Sequence, residues 1–360
     1  MKKIMKIMLL VLLVPVLLFA LYVVGNIVFA TATKFSPEPL EALSNNKKST
    51  EQSPQNVQLD STSSLQFLIW NIGYGGLGAE ANFFYDGGKM VVSPKDWVEK
   101  YNVGIVDFLK NNQADFIMLQ EADTAGRRSW DINQKEEIAN ALPNYNYSFA
   151  INYDVRFVPV PYTNPMGRVL GGLLSLSKVK PTFSERIQLP NKDKFPDQLF
   201  YLERCLLLQR FPIASSTKEL VVINTHFEAY DNGEVKKKQM EFTKKILEQE
   251  YAKDNYVVLG GDWNIAPPGV DAFKFAIEQE TDYLHINADS NYIPGWKYVY
   301  DANRGSNRKN KTAYIAGKTF TTIIDYFLVS PNIKALNVET VDLGFRSSDH
   351  NPVRMQVKLK

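Results

Sequence analysis

The stretch YVVLGGDWN, residues 256–264, reads as a strand of four apolar residues that runs through two glycines into Asp262, Trp263 and Asn264. Its apolar part has the length and β-branched content of a strand buried on both faces. The same arrangement recurs to either side. LIWN ends in Asn71, IMLQE in Glu121, and VINTH in Asn224 and His226; Asp325 opens IDYFLVS, and Ser348-Asp349-His350 precedes VRMQVK. Any one of these has a plain explanation, because Asn and Asp commonly end strands and turns. Together they gather carboxylate and amide oxygens with two of the three histidines in the chain.

Further strand-like runs are LQFLIW (65–70), DFIMLQ (115–120), LLSLS (173–177), LLLQ (206–209) and LVVINT (220–225), and helical stretches alternate with them. Ser93-Pro94 followed by Asp96 predicts a capped helix start, with Val98, Tyr101, Ile105, Phe108 and Leu109 on one face. Val235, Phe242, Ile246 and Leu247 predict the inner face of a second helix, with Lys236–Lys238 and Lys244–Lys245 in solvent. The glycine-rich GYGGLG at 73–78 matches no phosphate-binding pattern and reads as a tight turn after Asn71.

Oxygen donors without cysteine suit a hard cation, Mg²⁺ or Mn²⁺, rather than a structural zinc. Such an ion neutralises phosphoryl oxygens, and a histidine held by a carboxylate accepts a proton near neutral pH. His226 and His350 lie in the polar clusters; His285, in DYLHINAD, does not and reads as a surface or packing residue.

Three composition segments divide the chain. Residues 1–32 hold Lys2, Lys3 and Lys6 ahead of an uncharged run from Ile7 to Ala30, about 36 Å as a helix and enough for a bilayer core of about 30 Å. The run exceeds the ordinary signal-peptide core, which favours a retained signal anchor; Ala30-Thr31-Ala32 has the form of a cleavage site and keeps secretion as the alternative. With the lysines inside, the rest lies outside the cytoplasm. Residues 33–64, rich in Ser, Asn, Gln and Pro, read as a disordered polar tether. Residues 65–360 show no second composition break and read as one domain, the catalytic one under the resemblance given below. The 360 residues are 45% hydrophobic with a net charge of +2, and beyond the four lysines of the first 34 residues the balance is −2, which excludes a basic carpet for polyanions. One cysteine, Cys205, excludes an intrachain disulfide.

The ordered set WN, QE, NTH, GGDWN, IDYFLVS and SDHNPV resembles the endonuclease/exonuclease/phosphatase superfamily, which includes deoxyribonuclease I, bacterial sphingomyelinases and inositol polyphosphate 5-phosphatases. The resemblance implies an α/β fold, a four-layer sandwich of two mixed β-sheets flanked by helices, here preceded by the N-terminal transmembrane helix. It implies that Asn71 and Glu121 hold Mg²⁺, with Asp349 on or near it. It also implies that Asp262 and Asn264 contact the attacking water and the phosphate, that His226 binds the phosphoryl group or assists the leaving oxygen, and that His350 is a general base oriented by Asp325. Whether the proton goes to His350 or Asp262 stays open, as does Asn224 between phosphate ligand and strand-end hydrogen-bonder.

The implied function is a membrane-anchored, extracytoplasmic Mg²⁺-dependent phosphoester hydrolase. A phosphodiesterase, either a nuclease or of the phospholipase C and sphingomyelinase type, is preferred over a phosphomonoesterase of the inositol phosphatase type. A catalytically inactive surface binding module is the non-enzymatic alternative. The substrate would be nucleic acid, a phospholipid head group or an inositol phosphate, with no protein partner demanded. Asp123, where deoxyribonuclease-like members carry a basic residue, weakens the DNA reading, and Arg127 and Arg128 partly restore it. Arg168 is either an anion contact or a surface residue. NYIPGWKYVY (291–300) reads as core or rim packing sooner than as a membrane hairpin, and Arg304–Lys311 as a mobile basic loop beside the site.

Overall fold

A computed structural model describes residues 2–48, 59–60, 62–191, 194–275 and 286–360. In chain order its elements begin with α1 (Lys2–Ala32), β1 (Leu40–Ala42), β2 (Asn46–Lys47), β3 (Ser64–Asn71), α2 (Lys95–Asn111), β4 (Phe116–Gly126), α3 (Gln134–Ala141), β5 (Asn146–Val158), β6 (Gly167–Ser177) and β7 (Phe183–Gln188). They continue with β8 (Cys205–Pro212), β9 (Glu219–His226), α4 (Glu234–Tyr251), β10 (Tyr256–Asp262), β11 (Lys297–Val299), β12 (Asn307–Arg308), β13 (Thr321–Thr322), β14 (Asp325–Val329), β15 (Ile333–Thr340) and β16 (Val353–Leu359). Two seven-stranded mixed sheets result, ordered β1-β7-β8-β9-β10-β14-β11 and β15-β16-β3-β4-β6-β5-β2. In both, the middle pairs, β9 with β10 and β3 with β4, run parallel.

Alternation along the strands builds the layers. Phe67 and Ile69 of β3, Phe116 and Met118 of β4, Val222 of β9, Val258 of β10 and Phe327 of β14 meet between the sheets. Leu68 and Trp70 point the other way, against Ile105 and Leu109 of α2. Val257 and Leu259 point outward in the first sheet, toward Leu247 of α4. Helix, sheet, sheet and helix therefore form four layers, as the resemblance implies. Strands apolar on both faces were bound to take this inner position, because each large apolar side chain withdrawn from water stabilises the fold by about 1.5–3 kcal/mol.

Several expectations are corrected. The segment 33–64 is not wholly a disordered tether: β1 pairs with β7, β2 with β5, and Leu59 is buried beside Ile213. Sheet edges accept any chain whose backbone N–H and C=O groups complete the ladder, whatever its side chains, so composition is a poor guide there. Residues 49–58 and 61 lie outside the described residues. The α2 capping box does not form, because the Ser93 hydroxyl donates to the Gly76 carbonyl at 2.6 Å instead. The inner face of α4 is Lys236, Gln239, Met240, Thr243, Leu247 and Glu250, so Lys236 is buried and Phe242 is exposed. Two long strands, β5 and β15, escape the apolar-run criterion because polar residues interrupt both.

Glu250 pins α4 to the first sheet. Its carboxylate accepts both arms of Arg210 at 2.7 and 2.8 Å, plus Lys253 and the Asn255 amide. Burial alone would raise its pKa, but the Arg210 hydrogen bonds outweigh burial and lower it to about 2. A carboxyl depressed on folding stabilises the fold above its unfolded pKa, and that contribution is lost as the pH falls toward the folded one. Stability should therefore decline from about pH 4.5 toward pH 2. Denaturant titrations across that range should show a shallower decline in Glu250→Gln.

Candidate active site

Register aligns the site. Asp262 of β10 lies directly beside His226 of β9 and directly beside Asp325 of β14, which makes one row of three polar residues across the ends of three adjacent strands. All three share the strand phase of Val222, Val258 and Phe327, so they continue the inter-sheet core to its polar edge. Asn71 ends β3 in the matching phase of the opposite sheet. Its Nδ2 donates to Asp262 Oδ2 at 2.9 Å and to Glu121 Oε1 at 3.1 Å. Glu121 is out of phase, since alternation from Phe116 would turn it away from the other sheet. A bulge between Leu119 and Ala122, with Glu121 at φ 53°, returns its side chain to the site. After Asn71 the chain turns at Gly73, φ 51°, where a Cβ would come within 2.8 Å of Asp349 Oδ1. That turn bears out the reading of GYGGLG.

The last part of the site is the loop before β16. His350 Nδ1 lies 2.8 Å from Asp325 Oδ2, which also accepts the Ser306 hydroxyl at 2.7 Å. His350 Nε2 lies 3.0 Å from Asn307 Nδ2 and 3.7 Å from Asp262 Oδ2. Asn310 Nδ2 donates to Asp349 Oδ2 at 2.5 Å. Ser306, Asn307 and Asn310 were not foreseen. They come from the stretch read as a mobile basic loop, which instead forms β12, pairs with β13 and buries Arg308 against the carbonyls of Leu77, Gly78 and Ala81. Only its lysines and arginines stood out in the sequence, and the smaller polar residues between them carry the contacts.

Three carboxyl groups, Asp262, Asp325 and Asp349, thus act on the His350 imidazole, and a fourth, Glu121, lies beside His226 and Asn71. Burial raises Asp262 to about 6, helped by Asp325 and opposed by His350; burial, with Glu121, likewise raises Asp349 to about 6. Burial by itself would lower His350, but Asp325, Asp349 and Asp262 overcome it and push it up to about 10. His226 goes the opposite way. Burial, with Arg204 and His350 adding to it, holds it well below the usual imidazole value, so it is neutral. Its Nε2 is 3.5 Å from Asp262 Oδ2 and 3.9 Å from Glu121 Oε1.

This donor set fits a hard divalent cation. Burial and, after it, the neighbouring carboxylates raise the proton affinity of Asp262 and Asp349, and a dication among these oxygens would relieve the repulsion between them. Two subsets compete for the ion. Asp262, Asp325 and His350 bring one donor atom each within 4.8 Å of one another. Asn71, Glu121 and Asp349 are the set implied by the resemblance. Asp325 and His350 are already spent on each other at 2.8 Å, whereas Glu121 and Asp349 both open onto the cleft. Asn71 is fully buried behind them and turns its NH₂ toward the carboxylates, so it would have to turn its amide over to offer oxygen.

The cleft has a volume of about 1020 Å³, and Glu121, His226, Asp262, Asn264, Asp349 and His350 all line it. Asp325 stands behind His350. Asn224 stands below the site, where it ties the sheets together by accepting from Gln120 Nε2 at 2.7 Å and donating to the Leu119 carbonyl. Asn264, at φ 49°, is braced by its own backbone N–H to Asp262 Oδ1 and by Lys236 Nζ on its carbonyl at 2.6 Å. Arg168 is exposed and does not line the cleft; Arg128 does. Asp123 is the buried partner of Arg128, bonded at 2.8 and 3.0 Å, which accounts for an acid following the QE pair. Tyr292 and Ile293 of NYIPGWKYVY pack in the outer core. His285 lies outside the described residues.

The profile of the Endonuclease/Exonuclease/phosphatase family matches residues 68–350. No curated protein matches the chain by sequence. Among solved structures, an endonuclease/exonuclease/phosphatase from Beutenbergia cavernae is 17% identical, covers 82% of this chain and 72% of its own, and superposes with a TM-score of 0.58. The human Nocturnin catalytic domain with bound sulfate is 15% identical over 84% of this chain and 97% of its own, TM-score 0.52. ANGEL2, a 2',3'-cyclic phosphatase, is 13% identical over 86% and 99%, TM-score 0.54. At these identities the likeness is one of fold.

Proposed function

Since the chain belongs to the endonuclease/exonuclease/phosphatase family of metal-dependent phosphoester hydrolases, we propose that it is a membrane-anchored, extracytoplasmic Mg²⁺-dependent phosphodiesterase. The observation that carries the reading is the row His226, Asp262, Asp325, completed by His350 on Asp325 and faced by Glu121 across one cleft. Glu121 and Asp349 would hold Mg²⁺ or Mn²⁺, with Asn71 joining them through its amide oxygen. When bound, the ion neutralises phosphoryl oxygens, supports the leaving oxygen and offsets the carboxylates that keep His350 protonated.

The chain's own groups divide the rest of the work. Asp325 fixes the His350 tautomer with the proton on Nδ1, and Nε2, which faces the Asn307 amide at 3.0 Å, takes a proton from a water that replaces that amide. Asp262, 3.7 Å from that nitrogen, orients the water. The water oxygen bonds to phosphorus, one ester P–O bond breaks, and the alcohol leaves with a proton. Neutral His226 donates from Nε2 to a phosphoryl oxygen, and Asn264 contacts the same group.

A diester is favoured over a polyphosphorylated monoester by the pairing of the basic residues. Of the described basic side chains on the cleft wall, Arg128 is paired with Asp123, Arg204 with Glu228, Lys236 with Asp231 and Lys309 with Asp86, while Arg308 is spent on carbonyls. Little positive charge is left for additional phosphates. The α1 helix is long and apolar enough to serve as a membrane anchor or a signal sequence, and its basic start favours a catalytic domain outside the cytoplasm.

Detergent-solubilised full-length chain should hydrolyse bis(p-nitrophenyl) phosphate with a kcat/KM at least about tenfold above that for p-nitrophenyl phosphate, and EDTA should abolish both. A preference for the monoester would sink the diesterase reading. Calorimetric titration should show Mg²⁺ affinity at least about tenfold weaker in Glu121→Gln and retained in Asp325→Asn. The reverse result would put the ion among Asp262, Asp325 and His350.

A further inference from the structure

The membrane helix meets the catalytic domain along a single stripe. Val23, Asn26, Ile27 and Ala30 follow the i, i+3, i+4, i+7 spacing of one helical face and are shielded. Val24 and Val28, on the far side, are 57% and 62% exposed. Three residues of the stripe, Val23, Asn26 and Ile27, together with Tyr22, line the same cavity as Glu121 and His350. Phe19 and Tyr22 also pack edge-on against Tyr162, at ring-centroid distances of 5.6 and 6.5 Å.

The length of the helix sets the level at which this happens. From Ile7, the first residue beyond the lysines, to Asn26, about 20 residues rise about 30 Å, the thickness of a bilayer core, so the outer boundary falls within the Tyr22–Ile27 stretch. The helix therefore leaves hydrocarbon where it joins the cleft, and tyrosines are the side chains expected at that boundary. The cleft is apolar on its α1 side and polar at its far end, and among the described residues its basic side chains are paired with acids or, for Arg308, spent on carbonyls, which leaves no charged track for a polynucleotide among them.

We propose that α1 is a wall of the substrate cleft and that the substrate is a phosphodiester lipid of the same bilayer, drawn along Val23 and Ile27 until its phosphate reaches Glu121 and His350. This rests on the phosphodiesterase reading above and names its substrate class. Water adds to phosphorus, the P–O bond to the lipid alcohol breaks, that alcohol takes the proton, and a water-soluble phosphomonoester leaves. Cleavage after Ala32 would remove the wall, so the anchor is retained in the working enzyme.

The test uses full-length chain in vesicles of phosphatidylcholine and sphingomyelin, with bis(p-nitrophenyl) phosphate and plasmid DNA as soluble substrates. Wild type should release soluble phosphomonoester from the vesicles. Val23→Trp combined with Ile27→Trp should lower the ratio of lipid to soluble-diester kcat/KM at least about tenfold, while Val24→Trp combined with Val28→Trp, on the opposite face, should leave that ratio where it was. Co-sedimentation with vesicles should be the same for all three chains. Soluble-diester hydrolysis without lipid hydrolysis, a ratio equal in both double variants, or DNA cleaved in preference to lipid would overturn the proposal and leave the phosphodiesterase reading standing. Hydrolysis of neither diester would overturn both.

Discussion

His350→Ala is expected to lower turnover by about 10²- to 10⁴-fold, the scale of a lost general base, with the loop that carries residue 350 still in place. The loop survives because its anchors are main-chain: the His350 carbonyl accepts Trp70 Nε1 at 2.8 Å, and its N–H donates to the Ser348 hydroxyl at 3.1 Å. Neither bond involves the imidazole. The pH profile separates a lost proton acceptor from a merely distorted site. With saturating Mg²⁺, the wild-type rate should rise with pH as His350 loses its proton, and the His350→Ala rate should be nearly flat over the same range. Without the ion, the carboxylates hold His350 near 10, so the wild-type midpoint should fall as Mg²⁺ is added. Near wild-type turnover in His350→Ala would remove this side chain from proton transfer.

Asp123→Ala should have the largest effect on stability, about 3–5 kcal/mol, because it leaves the Arg128 guanidinium buried without its counter-charge. Asp123 is fully buried, and Arg128 reaches it from between the rings of Tyr74 and Tyr153, at 4.0 and 5.4 Å from their centroids. Burial raises the Asp123 carboxyl and Arg128 opposes that rise, so each charge depends on the other. Thermal unfolding should move down by about 10 °C. Asp123→Ala combined with Arg128→Met should recover most of the loss, since replacing both partners by apolar groups removes the uncompensated charge. If the double variant is as unstable as the single one, the cost lies in the lost bulk at position 123 and not in the charge.

The sequence by itself determined the inner strands, the layers and the polar residues that end those strands. Runs such as YVVLG and LIWN have no polar face to offer water, so they form the inner sheets whatever their partners, and the polar residues that end them fall at one edge. Phase alone places Asn71, His226, Asp262 and Asp325 toward that edge. Only the tertiary structure decided the rest. Glu121 arrives through a bulge that no alternation predicts, and register, a property of two strands together, sets Asp262 between His226 and Asp325. Ser306, Asn307 and Asn310 acquire their roles only when β12 folds over the His350 loop. Lys236 and Arg128 look like solvated charges until the elements that bury them are packed. The composition of α1 announces a helix long and apolar enough to cross a membrane, yet that one of its faces lines the cleft depends on where the domain docks. Burial and apolar runs are local properties that a chain carries with it, whereas pairing and docking are written in the fit between distant segments.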